Sequence, residues 1–272
     1  MHGKERAIAP ILLRELGLRV RVASGIDTDT LGTFTGETAR IQNARETAMA
    51  KARLALEADP RASFGLGSEG SFGPHPVIPF ATAGYEIVVL LSRKGELVLV
   101  GTDLTLQTNC AEAIVTSVDE GIEVAQRFGF PSHAALVTGV ERGRASFTAG
   151  LVKGLQSTLA LRAAITGAIE RCGSAGIASD MRAHMNPTRM RAIERATVKL
   201  ADSASARCPV CRHPGFDVSE HIPGLLCRDC GALTALTRYI TSVCTRCAHH
   251  SEQPRPDGRT TAEPGECSAC NP

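Results

Sequence analysis

CPVCRHPGFDVSEHIPGLLCRDCGALTALTRYITSVCTRCAHHSEQPRPDGRTTAEPGECSAC, residues 208–270, holds four Cys-x-x-Cys pairs. They are Cys208/Cys211, Cys227/Cys230, Cys244/Cys247 and Cys267/Cys270. Such a turn sets two thiolates on one side of a tight knuckle, and two knuckles complete a tetrahedral Zn²⁺ site. The intervening gaps are 15, 13 and 19 residues. The first and third fall in the common zinc-ribbon range of roughly 15–20 and the middle one does not. Gap length thus favours sequential pairing, with Cys208, Cys211, Cys227 and Cys230 at one site and Cys244, Cys247, Cys267 and Cys270 at another. Interleaved pairing is the alternative, and iron–sulfur ligation is a minor one, because soft thiolates suit it too.

The surrounding composition agrees with a metal-dependent module. After about Asp202 the chain has seven Arg, eight acids, no Lys and few large apolar residues, too little to bury a sufficient core unaided. The charge balance leaves no basic footprint, so nucleic acid is not the expected partner and a structural or protein-contact role is favoured. With eight thiolates closing two coordination spheres, no open position remains for catalysis at zinc.

Upstream, the composition is that of a globular chain: 43% hydrophobic, 21% charged and only 4% aromatic, with no Trp. The net charge of +2 is too small to imply nucleic-acid or membrane binding by bulk electrostatics. No stretch approaches the roughly 20 apolar residues of a membrane span. The start, MHGKERAIAPILLRELG, does not read as a secretory signal, because its apolar run contains Pro10 and meets Arg14 and Glu15. Ten cysteines without an export signal suggest a reducing compartment, hence a cytoplasmic protein. Cys110 and Cys172 read as buried small hydrophobes.

Residues 1–200 alternate between strand-like and helix-like stretches, which suggests an α/β or α+β domain with a mixed sheet, followed by the zinc module at 201–272. Strands are expected at Arg19–Ala23, Phe64–Ser68, Glu86–Ser92, Glu96–Thr102 and Ala134–Val140, with a hairpin around Arg93-Lys94-Gly95. Helices are expected at Ala7–Leu16, Thr38–Ala58, Ser117–Arg127, Gly150–Cys172 and Pro187–Ala201.

Four polar clusters carry more chemistry than folding needs. His2-Gly3-Lys4-Glu5 puts a Gly-flanked lysine at a helix start, where an ammonium and backbone N–H groups can hold a phosphate. Asp27-Thr28-Asp29-Thr30-Leu31-Gly32-Thr33-Phe34-Thr35-Gly36-Glu37 offers oxygen ligands suited to Mg²⁺, or simply caps a helix. On one continuous helix, Glu37 and Lys51 would stand roughly 21 Å apart. Gly65-Leu66-Gly67-Ser68-Glu69-Gly70-Ser71-Phe72-Gly73-Pro74-His75 sets a carboxylate among glycines at a strand end, where it can meet a metal while bare backbone approaches phosphate. Asp180-Met181-Arg182-Ala183-His184-Met185-Asn186-Pro187-Thr188-Arg189 offers Arg182, His184 and Arg189 toward a base or phosphate, or caps a helix.

These motifs, together with Thr108-Asn109 and the cysteine pairs, resemble a bacterial family of unknown function along essentially the whole chain. Residues from about 2 to 200, above all the run from Ser24 to Gly73, are also distantly similar to the inosine/xanthosine triphosphate pyrophosphatases. That resemblance implies an α/β fold with a long mixed sheet and a cleft for Mg²⁺ and nucleotide. It implies Lys4 as the phosphate-binding lysine, Glu37 and Glu69 as metal-binding acids, and Lys153 and Arg182 as phosphate- and base-facing positions. Those enzymes begin with a strand before the lysine motif, for which His2 leaves no room, and they lack the zinc module.

The resulting expectation is a Mg²⁺-dependent nucleotide phosphohydrolase carrying a structural zinc ribbon. Glu37, Glu69 and Lys51 would be catalytic, and Lys4, Ser68, His75, Lys153, Arg182 and His184 would contact a nucleotide or other phosphorylated small molecule. The alternative is a non-catalytic nucleotide-binding adaptor whose zinc module docks a protein or nucleic-acid partner.

Overall fold

The computed structural model describes residues 3–26 and 43–272 and divides into two compact units, Met1–Ala201 and Asp202–Pro272. In the first unit, α1 (Glu5–Leu16) ends at Gly17, whose φ of 67° closes the helix in the left-handed conformation that glycine adopts freely. Arg19–Ala23, expected as a strand, has no regular structure. Helix α2 runs Ala44–Ala58 and is opened by a capping box in which Asn43 and Glu46 each bond the other's backbone N–H. Of the helix expected from Thr38, residues 38–42 lie outside those described, as does Glu37.

Strands β1 (Phe64–Pro74), β2 (Thr82–Ser92) and β3 (Val98–Thr105) form an antiparallel sheet in that order. The β2–β3 hairpin turns at Gly95, φ 73°. Side chains alternate between its faces, and each face takes one helix. On one, Ile87 and Val89 pack against Ala48 of α2. The helix lies so close that a Cβ on Gly67 would sit 1.9 Å from the Ala48 carbonyl oxygen and one on Gly65 2.1 Å from that of Ala52. On the other, a Cβ on Gly101 would sit 2.0 Å from the Ala196 carbonyl oxygen of α5 (Pro187–Ser205). Glycine here is the condition for helix–sheet contact.

A second antiparallel sheet, ordered β4-β7-β5-β6, comprises β4 (Glu112–Val115), β5 (Ala135–Glu141), β6 (Arg144–Leu155) and β7 (Ala175–Ser179). Helices α3 (Val118–Arg127) and α4 (Thr158–Cys172) pack on it through a core that includes Val115, Val124, Val137, Leu161, Ile165 and Ile177. The helix expected over Gly150–Cys172 is therefore two elements. Gly150 and Gly154 have φ of 115° and 76°, which end any helical reading of that segment, and α4 begins at Thr158. Cys110 and Cys172 are half-buried rather than buried.

The mixed sheet expected from the alternating pattern is replaced by separate antiparallel sheets. Consecutive strands β1 to β3 and β5 to β6 join by short turns, so no crossover helix is required between them.

The second unit holds β8 (Val218–Pro223), β9 (Thr237–Val243) and β10 (His250–Pro254), antiparallel with β9 central. Apart from cysteines, its buried apolar side chains are Ala204, Leu225, Ile240 and Ala262. Among the described residues no helix is long and apolar enough to cross a membrane.

Candidate functional sites

The cysteine knuckles share one local geometry. In the first three, the N–H two residues past the pair's middle (Arg212, Gly231, Ala248) donates to the carbonyl of the leading cysteine, each at 2.9 Å. The leading cysteine's own N–H donates back, to His213, Ala232 and His249. This closure needs a left-handed residue after the second cysteine: Arg212, Gly231 and Ala248 have φ of 60°, 71° and 57°. The fourth knuckle repeats the first bond, from Asn271 N–H to Cys267 O at 2.8 Å.

The pairing of knuckles corrects the sequential expectation. Cys208, Cys211, Cys244 and Cys247 form one group and Cys227, Cys230, Cys267 and Cys270 the other, with the sulfurs of each group within 4.8 Å of one another. Sulfur–sulfur separations across knuckles are 3.7 and 3.5 Å in the first group, 3.9 and 3.7 Å in the second. Four thiolates at about 2.3 Å from a tetrahedral zinc would stand roughly 3.8 Å apart, so the donor set fits that ion. The same separations are far beyond the ~2.05 Å of a disulfide.

The reason is topological. The gap between the first and second pairs does not fold back on itself; it runs once along the sheet as β8. The next two gaps contain β9 and β10. Each strand therefore carries the chain away from one site and toward the other.

In the first unit, three elements converge near Glu69 on β1. Lys51 of α2 donates from Nζ to Glu69 Oε2 at 2.5 Å, and Gly70 N–H donates to Oε1 at 3.2 Å. Lys4, at the start of α1, donates to the Ser68 carbonyl at 3.2 Å. Burial pushes the Glu69 carboxyl up, but Lys4, Lys51 and the Gly70 N–H outweigh it and hold it below the ordinary carboxylate value. Lys4 moves the other way. Desolvation, then Arg189, with Lys51 adding to them, bring its ammonium down to about 8 against the opposing pull of Glu86 and Glu69.

The opposite face of the sheet holds a second ion pair, in which Arg189, expected to face a base or phosphate, is instead bound by Glu86, a residue not singled out in the sequence. Arg189 Nε donates to Glu86 Oε1 at 2.6 Å, with both side chains 1% exposed. Arg189 Nη1 also donates to the Met181 carbonyl, and its guanidinium lies 5.5 Å from the Phe72 ring centroid. Gly70 makes room for this pair, since a Cβ there would lie 2.5 Å from Glu86 Oε1. The available signal was a lone acid inside the apolar run Tyr85–Leu91, which calls for a buried partner. Neighbouring Asp103, paired with Glu86 across β2–β3, is matched in the same way by Arg195 at 2.8 Å.

The remaining candidates lie outside the Lys51–Glu69 pair. Arg182 forms a bidentate pair with Asp180, Nε to Oδ1 at 3.0 Å and Nη2 to Oδ2 at 2.6 Å, and Gly154 N–H adds a bond to Asp180 at 3.0 Å. His184 packs its Cβ near Gly3. Burial, then Arg182 and Arg6, lower its imidazolium's affinity for a proton, with Asp180 opposing. Lys153 lies on β6, in the other sheet. His75 stabilises its own turn, its Nδ1 accepting the Val77 and Ile78 N–H groups at 3.1 and 3.2 Å. Along an extended chain, six residues separate it from Glu69 by roughly 20 Å.

Around Glu69 the partners shown are ammonium groups and an N–H, the surroundings of a cation-paired carboxylate. Among the described residues the two cysteine groups alone bring three or more metal-ligating side chains together. No cluster of acids among the described residues supports the expected Mg²⁺ site, and Glu37 lies outside them.

No curated protein and no solved structure matches the chain. Residues 51–272, which include Lys51, Glu69, Glu86, Arg189 and all eight paired cysteines, match the family described as a domain of unknown function, DUF6671, and the chain belongs to that family.

Proposed function

We propose that the first unit binds and hydrolyses the phosphate chain of a nucleotide, and that the second is a structural module holding two Zn²⁺ ions. The observation that supports the first reading is the meeting of Lys4, Lys51 and Glu69 from α1, α2 and β1 at one glycine-lined strand. Two ammonium groups beside bare backbone suit an oligophosphate, because phosphoryl transfer depends chiefly on positioning and charge stabilisation. Glu69, held ionised, aligns the lysines and accepts a hydrogen bond from the attacking water. Mg²⁺ enters this reading only as the ion that nucleotides carry, and no step is assigned to it.

Pyrophosphate release from a panel of standard and deaminated nucleoside triphosphates, with Mg²⁺ present, tests the reading. Turnover that collapses in Glu69→Gln and Lys51→Met supports it. Absence of turnover across the panel, or an undiminished rate in Glu69→Gln, overturns it.

A second reading draws on the short Lys51–Glu69 pair, whose side chains are 16% and 4% exposed. A carboxylate so enclosed also suits a non-catalytic nucleotide-binding domain, with the zinc module docking a protein partner. Calorimetric binding of nucleotide without turnover would favour it. For the second unit, two closed four-thiolate spheres leave zinc no reactive position. Metal analysis of purified chain should return two zinc ions per molecule.

A further inference from the structure

The interleaving of the cysteine pairs has a mechanical consequence. Site one (Cys208, Cys211, Cys244, Cys247) lies at the sheet end marked by Val218, Val243 and His250. Site two (Cys227, Cys230, Cys267, Cys270) lies toward Pro223, Thr237 and Pro254. The three strands thus run between the two sites, β8 and β10 leaving site one for site two and β9 returning.

We propose that the two metal ions bind cooperatively, so that the module is a single metal-dependent folding switch and not two independent clips. The inference rests on the metal-binding reading above. Site one joins cysteines 33 positions apart and site two cysteines 37 apart, so each must close a long loop from the unfolded chain. Whichever ion binds first pays that closure and also fixes the register of β8, β9 and β10. Register is the decisive term. Once β9 is paired with both neighbours, the strand ends deliver the other two knuckles to one another. A tandem arrangement would offer no such transfer, since each ion would then close a loop containing none of the other's ligands.

The non-cysteine core is too small to hold the sheet alone, with Ile240 the buried apolar residue of its central strand. Other links lie at both ends: near site one Phe216 stacks on His249 with ring centroids 5.6 Å apart, and near site two there are two more. Cys227 bridges Ala262, and Arg228 pairs with Glu263 at 2.7 Å on the exposed surface. Exposed pairs of this kind contribute little, which leaves the ions and the strand register as the main ties.

The test uses the full chain stripped of metal and titrated with Zn²⁺, counting chains with zero, one and two ions by native mass spectrometry. Independent, equal sites leave about half the chains with one ion at half-saturation, whereas ten-fold coupling leaves about a quarter. Disabling site one with Cys244→Ser/Cys247→Ser should weaken Co²⁺ at site two by ten-fold or more, read from thiolate-to-cobalt absorption under chelator competition. By reciprocity, Cys267→Ser/Cys270→Ser should weaken site one equally. Ile240→Ala keeps every ligand and should raise the one-ion population toward half. A one-ion population of half or more in the unaltered chain, or an unchanged site two in the first double variant, overturns the coupling while leaving metal binding intact. Failure to take up any ion overturns the metal reading itself.

Discussion

Replacing Arg189 by Met should cost the first unit about 3–5 kcal/mol, the penalty for leaving one member of a buried ion pair without its partner. Glu86 and Arg189 are each 1% exposed, and Gly70 offers Glu86 no side chain as a substitute. At about 2–4 °C per kcal/mol for a unit of this size, the midpoint should fall by roughly 6–20 °C. Circular dichroism at 222 nm follows this unit, because the α-helices of the described residues lie between Glu5 and Ser205. Two further measurements separate charge from lost packing. Glu86→Met/Arg189→Met should recover most of the loss, since an apolar pair of similar volume replaces a charged one. Glu86→Met alone, which leaves Arg189 buried without its partner, should cost about as much as Arg189→Met. A single-variant loss below about 1 kcal/mol, or a double variant no better than the single, would refute the assignment of this pair as the main polar tie between β2 and α5.

Gly67→Ala should destabilise by about 1–3 kcal/mol or more, since its Cβ would meet Ala48 backbone at 1.9 Å, whereas Gly73→Ala, with nothing within 4 Å, should change the melting point little. In the metal-loaded module, Ala248→Gly should raise resistance to chelator by about 1 kcal/mol, because φ is 57° there and glycine adopts that region without penalty. Phosphate-chain binding that uses the Lys4 ammonium should weaken as pH rises through about 8, measurable by calorimetry, and Lys4→Met should abolish that dependence. The same shift acts on folding with the opposite sense. Lys4 binds its proton more weakly folded than unfolded, so its cost to stability is full below about 8 and is relieved as pH rises toward 10.5.

Local chemistry was legible in the chain, and long-range pairing was not. Cys-x-x-Cys spacing determines a knuckle because the two thiolates and the turn between them lie within four residues. The capping signals, the Arg93–Gly95 turn and the Pro187 helix start are read over equally short spans. The three strand runs at Phe64, Glu86 and Glu96 could be found by pattern, though not the separation into antiparallel sheets.

Tertiary structure decided which knuckles share an ion. A 15-residue gap can fold back as a ribbon or run once along a sheet, and only pairing with β9 selects the second. It also decided that Lys4 reaches the Ser68 carbonyl from 64 positions away, that Lys51 reaches Glu69 from 18, and that Arg189 neutralises Glu86 from 103. A buried charge must find its complement wherever the fold delivers one, so its identity is written locally and its partner is not.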